Sequence, residues 1–133
     1  DDFVYRNNLT VVEPNSILLS VRGTIGKAIL TKSKIAISTT LIAIEVDTNK
    51  VNPYFLYHWL LNKKEYFEAN ATGTIIPSLS ISFLKDLKID LPPKEVQDKF
   101  EIYQNDLNNI KKNLYLLTEE NQNLTKSIFN QFY

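Results

Sequence analysis

The 133-residue chain carries 15 Lys and Arg against 15 Asp and Glu, a net charge of zero, with 44% hydrophobic residues and no cysteine. That length holds one domain with about ninety residues of globular core plus an appendage. The missing cysteine excludes a disulfide framework and any Cys-based zinc site or nucleophile, in keeping with a cytoplasmic protein. No apolar run approaches the roughly 18 residues of a membrane span.

The opening residues DDFVYRNN read as the interior of a domain rather than its start. From Leu9 to Val46 the chain reads as β. Leu9–Val12, Ile17–Val21, Ala28–Leu30, Ile35–Ile37 and Leu41–Val46 are short runs rich in Val, Ile, Leu and Thr. They are separated by Pro14-Asn15 and by the GTIG of residues 23–26, whose glycines tolerate positive φ. The expected result is a small mixed sheet, a meander or partial barrel. After a loop at Thr48–Asn52, Asn52-Pro53 provides an N-cap and a first-turn proline for a helix running through YFLYHWLLNKKEYFEA. Phe55, Trp59, Leu60, Tyr66 and Phe67 are its candidates for packing on the sheet. NATGTIIPS, residues 70–78, is a loop; a helical turn is expected at Ser82–Asp86 and a strand at Leu87–Leu91.

Pro92-Pro93 then launches the last forty residues, Lys94 to Tyr133, with Glu95 placed for the helix dipole. Val96, Phe100, Tyr103, Leu107, Ile110, Leu114, Leu117, Asn121, Leu124, Ile128 and Gln131 follow alternating steps of four and three, and nine of these eleven are apolar. That is a heptad seam, not the wider stripe of a surface helix. No Gly or Pro follows Pro93, so one helix of roughly 60 Å is expected. Such a seam is too long to bury against a small domain and calls for a partner helix. Asn121 sits at an a-type position, where a paired buried amide fixes register, or where it is merely wet if the last turns fray.

No catalytic constellation emerges. Asn52-Pro53-Tyr54-Phe55 approaches the Asn-Pro-Pro-Tyr motif of adenine methyltransferases but lacks the second proline, and no glycine-rich cofactor turn follows any strand. The capping reading is preferred. GTIGK, residues 23–27, lacks the length and ending of a phosphate loop. His58, the only histidine, has no second metal-ligand candidate four residues on and reads as a core or half-buried residue. Glu45, Asp47 and Lys50 do not make a nuclease pattern. Charge distribution is more telling than the total, which by itself argues mildly against nucleic acid. No acid lies between Glu13 and Glu45, where Arg22, Lys27, Lys32 and Lys34 fall, nor between Glu68 and Asp86, so one face can be positive in a neutral protein. Arg22 and Lys27 suit phosphates or guanine edges, and Ser38, Thr39 and Thr40 are short hydroxyl donors, or simply strand residues on a wet face.

Nearly the whole chain resembles the specificity subunit of type I restriction-modification systems. SILLSVRGTIGKAIL at 16–30 and IAISTTLIAIEV at 35–46 resemble the strands and turn of a target-recognition domain. ATGTIIPSLSISFLKDLKIDLPPKEVQ at 71–97 resembles the family's most specific signature: Gly73-Thr74, a Ser-led helix at Ser80–Leu87, Leu91-Pro92-Pro93 and Gln97. The heptad helix is similar to the family's spacer helix. The resemblance implies an α+β target-recognition domain over residues 1–92, missing some N-terminal strands, and a coiled-coil dimerisation helix over 93–133. It further implies a non-catalytic, cofactor-free subunit reading double-stranded DNA through Arg22, Thr24, Lys27, Ser38, Thr39, Thr40, Thr72 and Thr74. The implied partners are an adenine methyltransferase subunit and an ATP-dependent restriction subunit. With one domain and one helix, the chain is expected to form an antiparallel homodimer through Phe100, Tyr103, Leu107, Ile110, Leu114, Leu117, Asn121, Leu124 and Ile128, or to be a fragment of a longer subunit. The competing readings are a coiled-coil assembly protein with an inert cap domain and a truncated adenine methyltransferase.

Overall fold

The computed structural model describes residues 9–132; the opening DDFVYRNN lies outside them. Five short strands come first: β1 (Thr10–Val12), β2 (Ile17–Ser20), β3 (Ala28–Leu30), β4 (Ile35–Ile37) and β5 (Leu41–Ile44). Each coincides with a β-branched or leucine-rich run between turns. They form two antiparallel sheets, β1–β4 and β3–β2–β5, and do not close into a barrel. In the larger sheet Ile17 lies between Leu30 and Ile44, and Leu19 between Ala28 and Ile42.

β2 is buried along its whole length because its two faces serve two clusters. Ile17 and Leu19 point one way, into the main core with Leu56, Leu60, Phe67 and Leu79. Leu18 points the other way, where it meets Val12 of β1 and Ile37 of β4. The period of two thus packs the small sheet onto the back of the larger one. Thr31 ties the β1–β2 turn down: its Oγ1 accepts from the Ser16 N–H at 3.0 Å and donates to the Glu13 carbonyl at 2.9 Å.

The helices that cover the main core are α1 (Pro53–Asn62), α2 (Lys64–Asn70) and α3 (Ile81–Lys85). Asn52 caps α1 as its sequence indicates, its Oδ1 accepting from Tyr54 N–H and Phe55 N–H. The single helix expected across 53–69 is broken at Lys63, whose N–H turns back to the Leu60 carbonyl at 3.0 Å. No glycine or proline marks the break. It accompanies a close approach elsewhere: at Gly26, φ +77°, an added Cβ would lie 3.1 Å from the Lys64 Cα. The start of α2 therefore rests on bare backbone in the β2–β3 turn. Of the expected packing residues, Leu60 and Phe67 are buried and Trp59 is partly so, whereas Tyr66 is half exposed against Phe83, their ring centroids 5.8 Å apart. Ser80 caps α3 through the Phe83 N–H.

The strand expected at Leu87–Leu91 is absent. Leu87 and Ile89 pack on the core while Lys88, Asp90 and Leu91 face solvent, so the stretch alternates without joining either sheet. Helix α4 (Lys94–Phe132) is 39 residues long and uninterrupted. The described residues divide into two compact units between Asp98 and Lys99. The first turn of α4 belongs to the first unit and is held there by Gln97, which is 1% exposed. Its Oε1 accepts from the Asn52 N–H at 2.9 Å, and its Nε2 donates to the carbonyls of Pro92 at 2.8 Å and Lys50 at 3.2 Å. Beside it, the Asn52 amide donates to Asp98 at 2.7 Å, and Lys94 bonds the same carboxylate.

Candidate nucleic-acid interface

Three stretches far apart in sequence meet at one rim of the first unit, joined by main-chain hydrogen bonds. Past the end of β2 the chain runs on as Val21-Arg22-Gly23. On one side, the Val21 N–H donates to the Thr40 carbonyl at 3.0 Å. On the other, the Val21 carbonyl accepts from Leu79 N–H at 2.8 Å, and Gly23 N–H donates to the Pro77 carbonyl at 2.9 Å. Arg22 pairs with Ser78, and Ser78 pairs with Thr72 through two reciprocal bonds of 2.9 and 2.8 Å. Thr40, Arg22, Ser78 and Thr72 are thus neighbours across a short irregular ladder. Ser78 joins both pairings, and sequence reasoning missed it because pairing over such separations leaves no local signal.

Arg22, Thr24, Lys27, Ser38, Thr39, Thr40, Thr72 and Thr74 are all exposed. Lys27 lies one row inward: its carbonyl accepts from the Ser20 N–H at 2.8 Å, its N–H donates to Ser20 Oγ at 2.8 Å, and Ser20 faces Leu41 across the sheet. Ser38 and Thr40 share a hydroxyl–hydroxyl bond of 2.8 Å in the β4–β5 turn, so part of their capacity is spent locally. Thr24 lines a shallow cleft with Gly23, Ile25, Glu68, Ala71 and Pro77. Thr74 stands at the tip of the loop that Thr72 and Ser78 close.

The electrostatics of this rim are one-sided. Among the described residues neither Arg22 nor Lys27 enters an ion pair, whereas Lys34 is matched to Glu13 at 2.7 Å. Glu68, the carboxylate in the Thr24 cleft, is paired with Lys64 at 3.5 Å. The remaining perturbed groups lie elsewhere. Asp98 is held below the usual carboxylate range by the Asn52 amide and then by Lys94. Asp47 is lowered chiefly by the Asn49 N–H. His58 is pulled down by partial burial among Tyr54 and Tyr57, its ring 4.7 and 4.9 Å from theirs. Among the described residues no three His, Asp or Glu side chains gather as a metal site.

Every seam position of α4 from Tyr103 to Ile128 is exposed in the single chain, from 47% at Leu107 to 65% at Tyr103 among the large apolar ones; Phe100 is half-buried. Ile102, Tyr115, Leu116 and Phe129 add apolar surface off the seam. No helix is long and apolar enough to cross a membrane among the described residues.

Residues 1–126 match the profile of the type I restriction modification DNA specificity domain. The chain is 32% identical over 95 residues to a Methanocaldococcus jannaschii protein described as the type I restriction enzyme MjaX specificity subunit, covering 71% of this chain and 22% of that one. It is 26% identical over 127 residues to the MjaVIII specificity subunit of the same organism, covering 92% of this chain and 30% of that one. The crystal structure of a type I restriction-modification S subunit from M. genitalium superposes with a TM-score of 0.58 at 23% identity, over 76% of this chain and 29% of the other. The chain therefore spans under a third of the length of each.

Proposed function

The chain belongs to the type I restriction modification DNA specificity domain family, and on that premise we propose that it reads one half of a split double-stranded DNA site without performing chemistry itself. The observation that carries this is the rim: residues around 22, 40 and 72–78 are drawn together by backbone bonds, with a lone arginine in their midst. Arg22 and Lys27 supply phosphate or guanine contacts, and Thr24, Ser38, Thr39, Thr40, Thr72 and Thr74 supply hydroxyl donors and acceptors. In the cytoplasm the domain would direct an adenine methyltransferase subunit, which flips and modifies the base, and an ATP-dependent restriction subunit. No cofactor of its own is called for.

The target-recognition unit is assigned to residues 1–92 and the spacer helix to 93–133. The seam from Phe100 through Tyr103, Leu107, Ile110, Leu114, Leu117, Asn121, Leu124 and Ile128 is assigned to an antiparallel homodimer. Its exposure supports this, since so long an apolar face is stable in water only when covered. A two-fold axis places the same reader at both ends, reading the same bases on opposite strands. The target is then an interrupted palindrome. Sequencing methylated adenines in a host carrying the chain with its methyltransferase tests this: a palindromic split motif is expected. An asymmetric motif made by this chain alone would refute the homodimer. Inserting one heptad in α4 should widen the spacer and leave both half-sites unchanged.

A further inference from the structure

The loop between Thr72 and Ser78 displays an apolar tip in the middle of a polar, cationic rim. Ile75 is 92% exposed, the most exposed large apolar side chain among the described residues, and Ile76 is 52% exposed. This is not a slack loop. The Thr72–Ser78 pair closes its base with two hydrogen bonds, and the Gly23 N–H grips the Pro77 carbonyl from the adjoining segment. Inside it, Gly73 (φ +109°) lies so close to the turn that an added Cβ would come 2.6 Å from the Ile76 carbonyl oxygen. The tip is a short loop braced by a single bridge pair at its base, and an isoleucine held out at its end is already ordered before anything meets it.

What covers it follows from its surroundings. Arg22 sits at the base of the loop, paired with Ser78; Thr72 and Thr74 flank the tip. No acidic residue occurs between Glu68 and Asp86, and the nearest carboxylate in the adjoining cleft, Glu68, is engaged with Lys64. A hydrophobic partner protein would leave Arg22 buried and unmatched, whereas a polyanion matches it. The major groove of B-DNA, about 12 Å wide, exposes the edges of the bases to a protruding side chain. The apolar group displayed on a base edge there is the C5-methyl of thymine.

We infer that Ile75 is a specificity-determining residue that reads a thymine methyl in the major groove, with Arg22 anchoring the loop on the backbone. The inference rests on the DNA-reading assignment above and extends it to a residue outside the polar set. Ile75 contributes by removing one methyl from water, worth about a fourfold change in affinity.

Selection from a random duplex pool with the full chain defines the bound motif. Each thymine in that motif is then replaced by deoxyuridine, which deletes the methyl and keeps the pairing. Wild type is expected to lose about fourfold at one thymine per half-site. Ile75→Ala should bind thymine and uracil equally there, while Arg22→Ala binds more weakly overall but keeps the thymine preference. Because Ile75 touches no core, Ile75→Ala should unfold at the wild-type temperature. An Ile75→Ala chain that still prefers thymine, or one weakened equally on both bases, would overturn the inference while leaving DNA reading intact. Failure of wild type to enrich any motif would overturn both.

Discussion

Replacing Gln97 with leucine isolates what holds the start of α4 to the first unit. The side chains are of similar size, so little volume changes, but three hydrogen bonds vanish. The Asn52 N–H loses its acceptor at 2.9 Å, and the Pro92 and Lys50 carbonyls lose the Nε2 donor at 2.8 and 3.2 Å. The Asn52 bond is buried, so removing its acceptor costs about 1–3 kcal/mol; the two carbonyls are partly reachable by water and add up to about 1 kcal/mol together. The sum is about 1–4 kcal/mol. With a urea slope of about 2 kcal/mol per molar, the midpoint should fall by about 0.5–2 M at unchanged slope. Trp59, the single tryptophan, lies in the first unit and reports its unfolding by fluorescence. Gln97→Glu sharpens the test: it keeps the acceptor for Asn52 but faces two carbonyl oxygens with a carboxylate, so its penalty should shrink as acid protonates it. A Gln97→Leu midpoint within 0.2 M of wild type, roughly the uncertainty of such a measurement, would refute the reasoning.

Replacing Leu114 and Leu117 together with lysine should leave monomers in sedimentation velocity, since each truncation of a buried interface leucine costs about 2–5 kcal/mol; a persistent dimer would move the interface off the seam. Arg22→Ala and Lys27→Ala should each reduce the slope of log affinity against log salt by about one unit, and an unchanged slope would place them off the phosphates. His58 has a folded-state pKa below its ordinary value of 6.5. Its contribution is therefore present above pH 6.5 and lost as pH falls through the folded-state value. His58→Gln should remove that part of the acid-side loss in thermal unfolding between pH 7 and 5.

Local chemistry made much of this fold readable and long-range pairing made the rest opaque. Ala28–Leu30 and Ile35–Ile37 are strands at the bounds their sequence indicates, because β-branched runs between turns are a local signal. That β1 pairs with β4, leaving β2 to a different sheet, is decided by the two-sided burial of Ile17-Leu18-Leu19 and cannot be seen in any window. Leu87–Leu91 misleads for the same reason: alternation records that one side is buried, not that a neighbouring edge is free to pair. The break at Lys63 accompanies the close approach of Lys64 to Gly26, a residue far back in the chain that no local window contains. Of the candidate site, the exposed polar set was legible from the acid-free stretches, whereas Ser78 and the Ile75 tip emerge only once residues 21–23 and 72–79 are side by side.

The three segments of the rim are bridged by peptide groups, through bonds from Val21 to Thr40, Leu79 to Val21 and Gly23 to Pro77. Its outward side chains are therefore not what keeps the three segments in register. Exchanging an exposed residue here other than Gly23 or Gly73 should alter stability by only about 0.5 kcal/mol, whereas a change at Phe67 or Leu19 would unsettle the core. On the DNA-reading role proposed above, a surface supported in this way can take on new lettering while its frame stays put, so drift in target preference and persistence of the fold need not compete.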